Sequence, residues 1–238
     1  MQKPDNSNNV PIFDNIDINT YINEVISFIE TKLCLFPEFL KSSSILQQLS
    51  DTISGEDKIT ENLCSFFTRQ EKEYTYQIEK QDNYDFQFIN QAKGKGHRSY
   101  DTGVILANTK NCSEKILTME AKRLPTPGSG REREYVLGNL GGIERFKKEV
   151  HAQEIKSNLA IMIGYVQKEN SDHWCEKINE WITEQIMISS NPNISWFAED
   201  LLIEDENFNQ EKICKYNSGH SRIRLEKIKI HHYWIDLN

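Results

Sequence analysis

Between residues 17 and 50 the apolar positions recur every three or four residues, in "IDINTYINEVISFIETKL" and then in "PEFLKSSSILQQLSD". That is the spacing of amphipathic helices. Asp17 or Asn19 is placed to cap the first, and Pro37 suits the first turn of the second. "DKITENLCSFFTRQEKEY" predicts a third helix, with Ile59, Leu63, Phe66 and Phe67 on one face. The period then drops to two. "YDFQFINQA", "YDTGVILAN" and "KILTMEAKRL" read as three successive strands with short polar connections, hence an antiparallel meander. "PTPGSGRERE" is loop material, and "YVLGNLGGIERFKKEVHAQEI" reads as helical in its second half. "NLAIMIGYVQ" is a buried strand, and "SDHWCEKINEWITEQI" is a helix capped by Ser171 with Trp174, Ile178, Trp181, Ile182 and Ile186 on its apolar face. The tail from residue 212 reads as one or two further strands. The order predicts an α/β fold in which a mixed sheet is covered by helices on both faces.

At 238 residues the chain suits one substantial domain with at most a small appendage. No run approaches the roughly 18 apolar residues of a membrane span, and "MQKPDNSNNVPIFDN" lacks the basic start and apolar centre of a signal peptide. A cytoplasmic protein is expected. Five scattered cysteines with no C-x-x-C pair predict free thiols, neither a disulfide framework nor a zinc site. The net charge of −8 argues against a polyanionic partner, but its distribution changes that picture. Residues 91–150 hold twelve Lys/Arg against seven Asp/Glu, a local balance of +5.

That basic stretch contains "ILTMEAKRL", an apolar run that suddenly carries Glu120 and Lys122. The sequence holds four E-x-K triplets, at 30, 56, 120 and 154, so the triplet alone means little. Only Glu120 and Lys122 end a strand, where residues two apart share a face. Asp101 begins the preceding strand, and antiparallel pairing sets it beside Glu120. Two carboxylates beside one ammonium suit a hard cation such as Mg²⁺, with the lysine aiming a water.

"YDTGVIL…ILTMEAKRL" resembles the PD-(D/E)XK, or restriction-endonuclease-like, nuclease superfamily. "GGIERFKKEVHA…AIMIGYVQ" and the terminal "SGHSRIRLEKIKIHHYWIDL" also look like stretches of uncharacterised bacterial members. The resemblance implies an α-β-β-β-α-β core over residues 56–168, within a nuclease domain at 56–238 preceded by a helical extension at 1–55. It implies that Asp101 and Glu120 hold Mg²⁺ or Mn²⁺, with the Ala121 carbonyl as a further ligand, and that Lys122 positions the attacking water. Glu61 stands for the acid that many members add from the first core helix. The literal "PD" is absent, since Tyr100 precedes Asp101. The activity implied is phosphodiester hydrolysis, DNA being favoured, in bacterial restriction, repair or phage defence; a homodimer and a partner protein are both left open by the sequence.

Arg123, Arg131, Arg133, Arg145, Lys147 and Lys148 are the candidates for contact with nucleic acid; solvated loop and helix charges explain them equally well. His220 and Arg222 in "SGHSR" are further candidates for an active-site edge, whereas His231 and His232 alternate faces of a strand and do not easily share a metal. Trp174 and Trp181 fit the core better than base stacking. "GKGHRS" and "GNLGG" have no nucleotide-loop context. The rival readings are a catalytically silent nuclease-fold subunit that binds or assembles, and an RNA-directed hydrolase with the same metal.

Overall fold

The computed structural model describes residues 18–43, 54–77, 85–90, 102–107, 113–138, 142–153, 155, 157–188, 194–208 and 210–238. Three helices come first: α1 (Ile18–Leu33), α2 (Phe36–Ser42) and α3 (Ser54–Gln77). Pro37 sits in the first turn of α2, where its missing N–H costs nothing. The strands β1 (Asp85–Asn90), β2 (Thr102–Ala107) and β3 (Ser113–Leu124) follow, then α4 (Ile143–Lys147), β4 (Leu159–Val166) and α5 (Ser171–Ile188). A single turn of 3-10 helix (Ala198–Asp200) precedes β5 (Ile203–Glu204), β6 (Ile213–His220) and β7 (Ile228–Asp236). The chain is a mixed α/β fold around one seven-stranded sheet of order β1-β2-β3-β4-β7-β6-β5.

β1, β2 and β3 pair antiparallel, as their short connections predict. β3 and β4 are parallel, and so are β4 and β7, which puts the sheet's centre among strands covered on both faces. Alternation along these strands divides the core in two. Met119, Ala121, Ile161 and Ile163 face α1, α2 and α3. Leu124, Ala160 and Met162 face α4 and α5, together with Trp174, Ile178 and Trp181. Ile116 and Leu117 both lie on the first face because the β2–β3 register slips between Val104 and Ile105. Gly164 on β4 is required by packing: a Cβ there would meet the Trp234 ring at 2.4 Å.

The helix expected in the second half of 135–155 is only one turn and a half. α4 ends at Lys147, and Glu149 and Ala152 both adopt left-handed φ of 58°. Its start is fixed by Gly142, at φ 82°, where a Cβ would lie 2.4 Å from the carbonyl oxygens of Glu134 and Tyr135. The glycines of "GNLGG" therefore include one that serves close backbone packing. Among the described residues no helix is long and apolar enough to cross a membrane.

Candidate functional site

β3 outlasts the described part of β2. Thr102, the first described residue of β2, pairs with Met119, whereas β3 continues through Leu124 alongside β4. Just past that point the backbone N–H of Arg123 donates to Glu56 Oε2 at 3.0 Å. Glu56 lies in the first turn of α3, where a carboxylate also complements the positive end of the helix. Its other oxygen accepts from Lys122 Nζ at 3.0 Å, and Lys122 Nζ lies 3.2 Å from Glu120 Oε1. One ammonium is thus held between two carboxylates, from a helix and from its own strand.

Two further groups reach Glu120. Arg145 of α4 brings Nη1 to 3.7 Å from Oε1, and His151 brings Nε2 to 3.3 Å from Oε2. All five residues are buried, none more than 8 % exposed. Burial, then the charges of Arg145 and Lys122, push the His151 pKa down to about 2, so its imidazole is neutral. The Arg145 Nε–H has no hydrogen-bond partner among the described residues. The cluster packs two anions and two fixed cations out of bulk water, where charges act on a ligand far more strongly than at the surface.

Several sequence expectations change position here. Glu120 and Lys122 are brought together. Asp101 lies outside the described residues, as do Glu154 and Lys156. Glu61 is exposed on α3, and the acid that reaches Lys122 is Glu56 instead. The reason is helix periodicity: five residues turn a helix by about 140° beyond a full revolution, so both cannot face the sheet. A usable signal was present, because Glu56 continues the apolar stripe of Ile59, Leu63 and Phe67. Ala121 contributes its side chain to the core on the α3 side. His151 carried no motif and was missed.

Two of the candidates for nucleic-acid contact are enclosed. Arg123 is buried with Nε on Gln167, and Lys147 is buried with Nζ 2.5 Å from Asp200, so neither presents a cation to solvent. Arg131 pairs with Glu134, Arg133 with Glu184 while lying over Trp181, and Lys148 with Glu144 at 2.7 Å. Arg133 remains at the surface; Arg145 faces inward to Glu120. Arg222 braces the β6–β7 loop by donating to Asn158 Oδ1 at 2.9 Å and to the Ala152 carbonyl at 3.4 Å.

A second buried cluster begins at Lys147. Asp200 accepts from Lys147 and from His220 Nδ1, both at 2.5 Å, and from the Phe197 N–H at 2.6 Å. Ser218 Oγ lies 2.6 Å from His220 Nε2 and 2.7 Å from His232 Nε2. His232 Nδ1 lies 2.9 Å from the Tyr135 hydroxyl, which accepts from Trp234 Nε1 at 2.8 Å. With Asp200 ionised and both imidazoles neutral, one proton arrangement satisfies every link. Trp234 N–H and then Tyr135 O–H donate in turn, His232 donates from Nε2 to Ser218, Ser218 donates to His220 Nε2, and His220 donates from Nδ1 to Asp200. Burial pushes the Asp200 carboxyl up, but the hydrogen bonds and charges of His220 and Lys147 more than offset it and hold it below the usual value. Burial lowers both relay histidines.

Asp200, His220 and Ser218 stand in the order of a hydrolytic triad. Ser218 Oγ already accepts from His232 while its proton goes to His220, so the hydroxyl is committed within the relay and the triad order serves that relay. His231 faces the opposite side of β7 and meets Asn217 at 2.5 Å.

Compared with models of protein families, with curated proteins and with solved structures, the chain matches none. Among the described residues no group of three or more His, Cys, Asp and Glu side chains gathers at metal-binding geometry.

Proposed function

We propose that the chain is a Mg²⁺- or Mn²⁺-dependent phosphodiesterase, a nuclease of the PD-(D/E)XK type that acts on DNA. The observation that carries this reading is Lys122 held between Glu120 and Glu56 just beyond the point where described β2 stops. The element order α3, β1, β2, β3, α4, β4 supports it, being the order that the resemblance implies.

The donors present fit a hard cation. Glu56 and Glu120 are buried carboxylates with oxygen ligands only, and Mg²⁺ ordinarily takes one or two such groups together with waters and substrate phosphate. Asp101 is assigned as the third carboxylate from chain adjacency: it precedes Thr102, which pairs with Met119, the residue before Glu120. The Ala121 carbonyl is the further ligand by analogy. The chemistry that a bound divalent ion supplies at such a site is a lowered pKa for its water and stabilised charge on the phosphate. Lys122 orients the attacking water by donating a hydrogen bond to it, and Arg145 offsets negative charge on the phosphate. Burial of the site excludes bulk water and strengthens both effects.

A second reading has its own observation. Glu56 and Glu120 are balanced by Lys122 and Arg145 without any added ion, which suits a silent, structural copy of the site. Plasmid DNA incubated with Mn²⁺ decides between them. The nuclease reading predicts cutting by the wild type that Glu120→Ala and Lys122→Ala each reduce by about a hundredfold or more. No cutting by the wild type, with no Mn²⁺ binding in calorimetry, sinks it in favour of the silent copy.

A further inference from the structure

The cluster around Asp200 touches neither Glu120 nor Lys122, yet it ends on the segment that does. Lys147 is two residues from Arg145 and four from His151, the two groups that α4 and its following turn send to Glu120. A helix of five residues has little stiffness of its own, and the turn after it holds two left-handed residues, Glu149 and Ala152. Its register is therefore set from outside. Lys147 Nζ is fixed by Asp200 and lies over Trp196 at 4.7 Å. Glu149 is fixed by the backbone N–H groups of Arg224 and Leu225, the latter at 2.7 Å. Asp200 is fixed in turn by His220, and through Ser218 and His232 by Tyr135.

We propose that Asp200 is a positioning residue of the candidate site: it clamps Lys147, and through α4 it sets where Arg145 and His151 stand against Glu120. The directional relay behind it fixes the clamp, because His220 donates to Asp200 and each further link orients the one before it. Ser218 is the element that enforces direction, since its one proton is committed to His220. The activity arm of the test rests on the nuclease reading; the geometry does not.

The test is Asp200→Asn in the full chain, which keeps the shape and removes the charge. Two readouts are taken on the metal-free and the Mn²⁺-loaded protein: side-chain ¹⁵N spectra of the histidines, and turnover and KM on plasmid DNA. The expected result is a folded protein in which the His151 ring signals move, turnover falls about tenfold or more, the scale of a misplaced catalytic group, and KM stays within about threefold. Ser218→Ala removes a hydroxyl and no charge, and should move the same signals in the same direction with a smaller loss. His151 signals unmoved in Asp200→Asn overturn the proposal, as does failure of both variants to fold, which would make the cluster a support of the fold alone. If the wild type does not cut DNA, the nuclease reading fails while the His151 spectra still decide for or against the clamp.

Discussion

Two buried polar clusters flank α4, and they are built differently. Around Asp200 the side-chain separations run from 2.5 to 2.9 Å, and each proton of the relay from Trp234 to Asp200 has one destination. Around Glu120 the charged atoms stand 3.0 to 3.7 Å apart, and the Arg145 Nε–H has no hydrogen-bond partner among the described residues. The first arrangement gives up its stability if any member moves. In the second, two hydrogen bonds of 3.0 Å fix Glu56, while Lys122, Arg145 and His151 meet Glu120 at 3.2 to 3.7 Å. Burial is therefore no guide to role by itself; what separates a fixed cluster from one able to accept a ligand is how completely its donors are committed.

The largest expected effect breaks the tighter cluster. Lys147→Ala leaves the Asp200 carboxylate buried without its ammonium, which costs about 3 kcal/mol or more. For a chain of this size that corresponds to a fall in Tm of roughly 6 to 12 °C, measurable by calorimetry. A change of a degree or less would show that the cluster is not rigidly coupled to the fold.

Acid should act more gradually. Burial lowers the pKa values of His220, His231 and His232 in the folded chain, that of His231 from 6.5 to about 4. The unfolded chain then binds protons that the folded chain refuses, so the histidine contribution to stability is flat above pH 6.5 and falls as pH drops below it. His231 alone accounts for at most about 3 kcal/mol between pH about 6.5 and about 4, and the relay histidines extend the loss in the same direction. Urea titrations across that range check the sign; stability that rises on acidification would contradict neutral buried imidazoles.

The sequence made the strands and the long helices legible because their burial is periodic. "YDFQFINQA" contains β1 and "KILTMEAKRL" most of β3, and the stripe of Trp174, Ile178 and Trp181 becomes the buried face of α5. α4 was overextended, because nothing in "ERFKKEVHA" announces left-handed backbone at Glu149 and Ala152. Lys147 read as a surface cation because its partner, Asp200, lies 53 residues away in an acidic stretch with no local mark of burial. Glu56 was more accessible to reasoning, since an acid on an apolar helical stripe needs a buried partner. Glu61 lies off that stripe. His151 gave no warning: a lone histidine after a helix acquires meaning only when the fold brings Glu120 to it.

The smallest and cleanest contrast uses two glutamates on one helix. Glu56→Gln and Glu61→Gln are compared with the wild type for Mn²⁺-dependent cleavage of plasmid DNA at equal concentration of folded protein. The account predicts that the wild type cuts, that Glu61→Gln cuts equally well, and that Glu56→Gln loses about tenfold or more, the scale of removing a carboxylate that holds or supports a metal site. Equal cutting by Glu56→Gln would contradict the assignment of the Lys122 site.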